Sequence, residues 1–475
     1  MSSTRHRFIY NLRSETHDPF TRDSLAPAGF LLAPNNATAT LRDMAVQVRA
    51  AGHQFYVDNG NFSLIGQLRT EFANEARVLW LQIQAIESAL DRTVRTAEIP
   101  EPLRTGYRDL ATRVRARALD LTPDDPVQVA SQLQLDPTHL VGAEDITMAA
   151  WLSLDIEDSY VAYERRRYRR MNESVARRAA KVLAGLPAAV AQAYYPVASA
   201  VSYNTAFDAG KAFAHAAIDR ISMGFGAYMA DSNYADHVIV GRKRFDLGGR
   251  VPSRYLRTAA VATGFWAGYR EERGRPPSAF HFLGLGAPIM MALVALAGWD
   301  TPNLSYDATS PIKDAVEGSL YVSKPAYLKI RTRNFALRLA STDGEEWRCP
   351  CPFCKDFVSG HPFDYPAGRA WHDANLPDRV EADDLRPGGG LSDAYPLLSE
   401  PAGSALRQAV NFARIGHNHW VLEEILEALR TASASRANLL SQAEASVTAY
   451  EANTNAQSHA TAVRTAFHLC GGNFP

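Results

Sequence analysis

The chain has 475 residues, of which 46% are hydrophobic and 21% charged, with a formal net charge of −1. That length suits roughly two to three domain-equivalents, or one large barrel with additions, and the charge supplies no global field to draw nucleic acid or membrane. Four cysteines exclude a disulfide scaffold and suit a reducing cytoplasm.

The opening Met1-Ser-Ser-Thr-Arg-His-Arg has no long apolar run behind it and reads as lacking a signal peptide. Residues 1–50 are polar and turn-rich and read as an N-terminal segment, with a helical pattern around Thr40 to Ala50. Gln54-Phe-Tyr-Val-Asp58-Asn-Gly60 is then an apolar strand ending in an acid and a glycine turn. Helical stretches follow over roughly Gly66–Arg92 and Glu101–Asp120, with a shorter one over 127–140. Met148 to Asp158 reads as a second strand terminating in carboxylates, among them Asp155 and Glu157. The next helix carries a basic stripe, Arg165 to Arg170, which is either a solvated face or a phosphate contact, since arginine forks suit phosphate oxygens.

Ala188 to Pro196 is a strand candidate with one polar side chain, Gln192. Ile221–Tyr228 and Val238–Pro252 are further candidates, the latter containing Leu247-Gly248-Gly249. Phe280 to Gly298 runs without Asp, Glu, Lys or Arg, long enough to span a bilayer. Gly284, Gly286 and Pro288 break it, so it reads as a buried strand, a turn and a buried helix. Leu304-Ser-Tyr-Asp307-Ala-Thr-Ser310-Pro again gives strand, acid and turn.

Strand, polar or glycine exit, helix, repeated along 51–335, is the grammar of a parallel sheet with crossover helices. An open doubly wound sheet competes, but polar residues recur at many strand ends rather than at one switch point. The expected fold is an α/β TIM (β/α)8 barrel over 51–335. A zinc-binding subdomain over 336–430 and a helical tail over 431–475 follow, the tail reading as one helix from Ser433 to Phe467. Asp58 and Asp307, on strands at opposite ends of the barrel sequence, are expected to be brought together by closure. They are either a pair of carboxylates fit for double displacement at a sugar carbon, or turn-forming and helix-capping residues.

Past the barrel, Lys329-Ile-Arg331-Thr-Arg333 alternates like a half-exposed strand. Cys349-Pro-Cys351-Pro-Phe-Cys354 then crowds three of the four cysteines into a proline-stiffened knuckle. Zn²⁺ bound there needs a fourth ligand; a disulfide with a spare thiol is the alternative. His417 is the leading candidate, His419 its rival two residues on, with His361 and His372 behind them.

The ordered set of motifs resembles the tRNA-guanine transglycosylase superfamily over about residues 50–430. The cysteine knuckle followed by His417-Asn418 resembles its structural zinc site. Asp58-Asn-Gly-Asn-Phe62 is similar to the Asp-Ser-Gly-Gly-Phe motif, and Asp155-Ile-Glu157 to the segment that reads the guanine edge. Leu247-Gly248-Gly249 resembles the backbone contact to the bound base, Leu283-Gly-Leu-Gly286 the later strand exit, and Ser305-Tyr-Asp307 the nucleophile segment. Gln192 takes the place of the base-binding glutamine, without the neighbouring glycines.

The family's Pro-Thr-Arg segment is Ser310-Pro-Ile-Lys313 here, and the gap from Cys354 to His417 is longer than in the tRNA enzymes. The lost arginine argues against tRNA, the gap implies an insertion beside the nucleic-acid face, and Asp307-Ala-Thr-Ser-Pro-Ile-Lys-Asp314 looks closer to the DNA-modifying branch, the DpdA-type DNA-guanine transglycosylases. The resemblance implies exchange of guanine in DNA for a 7-deazaguanine such as preQ0. Asp307 would be the nucleophile, Asp58 the proton carrier, and Asp155, Gln192, Gly248 and Gly249 the base-binding set. Arg166, Arg169, Lys313, Lys329, Arg331 and Arg333 are the expected nucleic-acid contacts, and a flipped or single-stranded base is required. A tRNA enzyme, and a non-catalytic nucleic-acid-binding paralogue, are the alternatives. A homodimer or accessory modification proteins are compatible with any of these, and no membrane partner is expected.

Overall fold

The computed structural model describes residues 5–157, 160, 165–226, 233–322, 328–331, 349–354, 404–454 and 456–472. Eight parallel strands close into a barrel in the order β1-β10-β9-β6-β5-β4-β3-β2. They are β1 (Arg5–Asn11), β2 (Gly29–Leu32), β3 (Gln54–Val57), β4 (His139–Gly142), β5 (Tyr194–Ala198), β6 (Arg220–Gly224), β9 (Ala279–Leu283) and β10 (Asn303–Asp307). β1 closes the ring, pairing Ile9 with Asp307 of β10 on one side and with Gly29 of β2 on the other. The barrel axis is packed rather than open: Ile9, Leu31, Tyr56, Tyr195 and Ala279 form one buried cluster within it.

The (β/α)8 expectation therefore holds, but its boundary moves. The barrel begins at Arg5, not residue 51, because two of its strands lie in the segment expected to precede it. β1 is hidden in sequence by its polar residues. His6 is wholly buried, with Nδ1 3.1 Å from Tyr306 Oη and Nε2 2.8 Å from Ser433 Oγ, so a polar letter there does not mean a solvated side chain.

Three strand assignments change as well. Thr147–Ser153, overlapping the strand expected over Met148–Asp158, is a buried helix, and the strand is β4, partly inside the expected helix over 127–140. A short apolar run fits a buried helix turn as well as a strand, and periodicity cannot separate them. Ala188–Ala191 is a helical turn, with the strand beginning at Tyr194. The Val238–Pro252 stretch is part of an antiparallel hairpin outside the barrel, β7 (Tyr234–Val240) and β8 (Lys243–Pro252), turning through Gly241 at φ +63°. By contrast the charge-free stretch divides as expected into β9 and a buried helix, Pro288–Ala297. Among the described residues no helix is long and apolar enough to cross a membrane.

An excursion between β3 and β4 builds two long helices, Asn61–Leu90 and Glu101–Leu121, around a second core containing Tyr107, Leu110 and Trp151. After β10 come the two-stranded sheet β11 (Ser319–Tyr321) and β12 (Lys329–Arg331), then the helix Ser404–Ala432. The tail is two helices, Arg436–Asn453 and Gln457–Gly471, rather than one. Leu439, Val447, Val463 and Phe467 from these helices join the main core, so the tail is part of the barrel's outer layer.

Two outer helices, Tyr203–His215 and Ser253–Arg273, meet almost backbone to backbone. A Cβ at Gly210 would lie 2.2 Å from Phe265 O, one at Gly264 2.3 Å from Tyr203 O, and one at Gly268 1.9 Å from Phe207 O. Backbone cannot yield as a side-chain tip can. Gly268→Val is expected to destabilise by about 1–3 kcal/mol through overpacking, read as a lowered thermal midpoint. Gly249→Ala, where a Cβ meets nothing within 4 Å, should leave that midpoint in place.

Candidate active site

The carboxyl ends of the strands open into a cavity of about 1340 Å³ whose lining includes Asp58, Glu144, Gly226, Gly284 and Asp307. Loops from different strands meet there because a parallel barrel places every strand's C-terminal end on one face. Asp58 and Asp307 do line one cavity, although β1 and β2 stand between their strands. They converge across the mouth rather than as neighbours.

Asp307 ends β10, 7% exposed, where Gly284 N donates to its Oδ1 at 3.3 Å. Behind it sits His281, wholly buried, with Nε2 also 3.3 Å from that oxygen, at ion-pair distance though not aligned as a hydrogen bond. Ser305 Oγ lies 2.8 Å from His281 Nδ1, and the Tyr56 ring stacks on the imidazole at 5.2 Å between centroids. With the Ser305 hydroxyl donating to Nδ1, the remaining imidazole proton sits on Nε2 and faces Asp307.

Burial, and secondly the charge of Asp307, push the Asp58 carboxyl up to about 6, although Gly60 N donates to its Oδ2 at 3.3 Å. Glu144, just past β4, is the carboxylate that sequence reasoning missed. Burial raises it to about 7, opposed by the amides of Asn59 and Asn61, each donating to Oε2 at 2.9 Å. Gln128 Nε2 in turn donates to Asn59 O at 3.0 Å, so the Asn59–Asn61 loop is held as a rigid cradle for this one carboxyl. Leu140-Val-Gly-Ala-Glu144 carries the same strand-then-acid signal as the segments that were recognised; reading 127–140 as helix concealed it.

The other expected base-binding residues do not line the cavity. Asp155, in the left-handed conformation at φ +54°, accepts from Asn233 Nδ2 at 3.3 Å. The same amide reaches Glu157 Oε1 at 3.0 Å, and Arg257 Nη2 lies 2.8 Å from both Glu157 oxygens. Gln192 precedes β5, at the opposite end of the barrel from the mouth. Gly248 and Gly249 lie on the exposed β8 strand of the hairpin. The positions where the backbone does come close are Gly226 and Gly284. At Gly284, φ +75°, a Cβ would lie 2.9 Å from Gly226 N and Cα, so any side chain would close the gap between the two loops.

Of the expected nucleic-acid contacts, Lys313 and Lys329 line the mouth. Lys329 Nζ pairs with Asp314 Oδ2 at 2.6 Å and lies over the Tyr321 ring. Arg331 donates to Glu317 O at 2.8 Å. Arg166 is exposed on the flank of the molecule, Arg169 pairs with Glu173 at 3.4 Å on its own helix, and Arg333 lies outside the described residues.

Beside the mouth, Cys349, Cys351, Cys354 and His417 present ligand atoms all within 4.8 Å of one another and could hold a metal ion. His417 Nδ1 faces the three sulfurs at 3.5, 3.5 and 3.3 Å, while Nε2 lies 2.8 Å from Tyr321 O. That carbonyl fixes the proton on Nε2 and leaves Nδ1 free to ligate. The rival His419 lies deep against Phe8 and Tyr10, with Nδ1 2.8 Å from Ile415 O, and His361 and His372 lie outside the described residues. Asn418 donates to Pro311 O at 3.1 Å and accepts from Tyr321 N at 2.9 Å, tying the cluster to the helix that follows Asp307.

His417→Ala is expected to remove most bound metal, measured by elemental analysis of the purified protein, while His419→Gln retains it. The raised carboxyls give a second expectation. Folded Asp58 and Glu144 hold protons that the unfolded chain, titrating near 4, has released. Their favourable contribution is therefore complete at low pH and is lost as pH rises through about 6 and about 7. Asp58→Asn and Glu144→Gln should raise the thermal midpoint by a few degrees at about pH 8 and change it little at about pH 4.

No protein-family model matches this chain, and no curated protein matches it significantly.

Proposed function

We propose that the chain is a base-exchange glycosyltransferase that replaces guanine in DNA with a 7-deazaguanine such as preQ0. The observation that carries this reading is the meeting of Asp307, Asp58 and Glu144 in one mouth cavity, where burial raises Asp58 to about 6 and Glu144 to about 7.

Asp307, held by Gly284 N, attacks C1′ of the deoxyribose as a carboxylate, and the C1′–N9 bond breaks. The departing guanine needs a proton, and Asp58, whose carboxyl burial raises to about 6, is placed to carry one between the leaving and the incoming base. The incoming 7-deazaguanine attacks the Asp307 ester through N9 and returns a proton to Asp58, so the sugar keeps its configuration after two displacements. His281 Nε2–H, facing Asp307 Oδ1, is placed to orient that carboxylate and to stabilise it as it leaves the ester.

In this reading Glu144 takes the role expected of Asp155. As a carboxylate it complements the N–H edge of guanine, and the Asn59 and Asn61 amides stabilise that charged form. Gly226 and Gly284 replace Gly248 and Gly249 as the places where backbone can approach a flat base. Lys313 and Lys329 at the rim are phosphate contacts.

The knuckle fits Zn²⁺. Tetrahedral bonds of about 2.3 Å to sulfur and 2.0–2.1 Å to nitrogen put S and N about 3.5 Å apart, as His417 Nδ1 and the sulfurs are. Four protein ligands close the shell, so the ion would be structural. Reduced thiolates at such a site suit the cytoplasm.

The test is incubation of the purified protein with labelled preQ0 and single-stranded DNA, duplex DNA or tRNA. Label should enter DNA, and Asp307→Asn should lower incorporation by roughly a thousandfold or more. Incorporation into tRNA alone would overturn the DNA assignment, and full activity in Asp307→Asn would overturn the nucleophile. His281→Phe is expected to slow exchange and shift its pH profile while leaving the affinity for base nearly unchanged.

A further inference from the structure

We infer that a second cleft, on the flank of the barrel, is a docking site for nucleic-acid backbone at a distance from the reacting base. The cleft, of about 900 Å³, lies between the helices Glu101–Leu121 and Arg165–Gly185. Arg115 enters it from the first helix, and Arg166 and Arg170 from the second, one turn apart.

Pairing separates these arginines from their neighbours. On the first helix Arg104 and Arg108 pair with Glu101, Arg113 with Glu75, and Arg117 with Glu71 and Asp120. On the second, Arg165 pairs with Asp208, Arg169 with Glu173, and Arg178 with Asp125. Arg115, Arg166 and Arg170 have no carboxylate within ion-pair distance among the described residues. Arg167 and the paired Arg178 also line the cleft, while Arg177, likewise without a carboxylate at ion-pair distance among the described residues, does not. Asp145 is the one carboxylate in the lining, and Thr147 N donates to its Oδ1 at 3.0 Å.

The cleft is joined to the mouth by the end of β4. Glu144 lines the mouth and Asp145 the cleft, while Arg178 Nη2 donates to Glu144 O at 2.6 Å from the cleft side. A strand whose base enters the mouth can therefore lay a flanking stretch of backbone over this wall. The arginines carry no base-reading partner, and the apolar wall of Leu119, Met171 and Val175 is not aromatic. The contact is therefore to phosphate and independent of sequence. This inference rests on the proposed reading in one respect, that the polyanion is a nucleic acid.

The test is anisotropy of fluorescein-labelled single-stranded and duplex oligonucleotides across a salt series. The parent chain is compared with the triple variant Arg115→Gln, Arg166→Gln, Arg170→Gln, and with Arg113→Gln as the paired control. The triple variant should bind roughly tenfold or more weakly, with the slope of log affinity against log salt shallower by about 2–3. Arg113→Gln should match the parent, and thermal midpoints should agree across the set. An unchanged slope in the triple variant would overturn the cleft, as would loss of binding to phosphatidylserine vesicles with oligonucleotide binding intact. Because the readout is binding, a chain that exchanges no base but shows the slope change leaves the cleft standing and removes only the proposed reaction.

Discussion

Closure of the sheet by β1 is the constraint on which everything else depends. A parallel sheet left open here would expose two edges and put the ends of β3 and β10 far apart. Arg5–Asn11 bonds β10 on one side and β2 on the other, and so makes one rim out of segments some 250 residues apart, those carrying Asp58 and Asp307. The same strand anchors the C-terminal part of the chain. Arg430 Nε donates to His6 O at 2.9 Å, Ser433 meets the His6 ring, and Tyr10 donates to Glu423 at 3.3 Å. The helix Ser404–Ala432 is thus placed by the first strand, and it carries His417 to the cysteine knuckle.

The mouth concentrates carboxyl groups, and each has different partners. Asp307 has a backbone N–H and an imidazole beside it, while Asp58 is pushed up by burial and by Asp307, and Glu144 by burial against the help of two asparagine amides. Burial and neighbouring carboxylates together make the ionised forms of Asp58 and Glu144 costly. The asparagines next to Asp58 thereby acquire a purpose: the side-chain amides of Asn59 and Asn61 serve Glu144.

The knuckle is coupled to this rim by short polar links rather than by proximity alone. His417 meets Tyr321 O, Asn418 joins Tyr321 N to Pro311 O, and Tyr321 Oη donates to Asp314 at 2.7 Å. Pro311 and Asp314 belong to the helix that starts three residues after Asp307 and carries Lys313. Gly416 lets the knuckle sit against that anchoring helix, since a Cβ there would lie 2.2 Å from the Phe353 ring. A metal held by the four ligands would therefore stiffen the backbone that leads away from Asp307.

Much of this was legible before any fold was known, because it is local. Cysteine spacing, the strand-acid-turn segments at Asp58 and Asp307, and the charge-free run over Phe280–Gly298 each announce themselves within a few residues. The repeating pattern also sufficed for the barrel class. What depended on tertiary structure was which polar residues are buried and which strands are neighbours. β1 escaped notice because His6 is satisfied by Tyr306 and Ser433, residues hundreds of positions away. Gln192, Gly248 and Gly249 have suitable chemistry but sit at the wrong end of a strand or on an outlying hairpin, a distinction that residue type cannot carry. Glu144 lines the mouth and Asp155 does not for the same reason: both follow apolar runs, but β-pairing alone shows that Leu140–Gly142 is the strand and 147–153 a helix. Sequence alone determined that acids end apolar runs and that three thiols share a knuckle. Closure of the barrel settled which of them share a cavity, because side-chain pairs across a ring of strands have no fixed spacing along the chain.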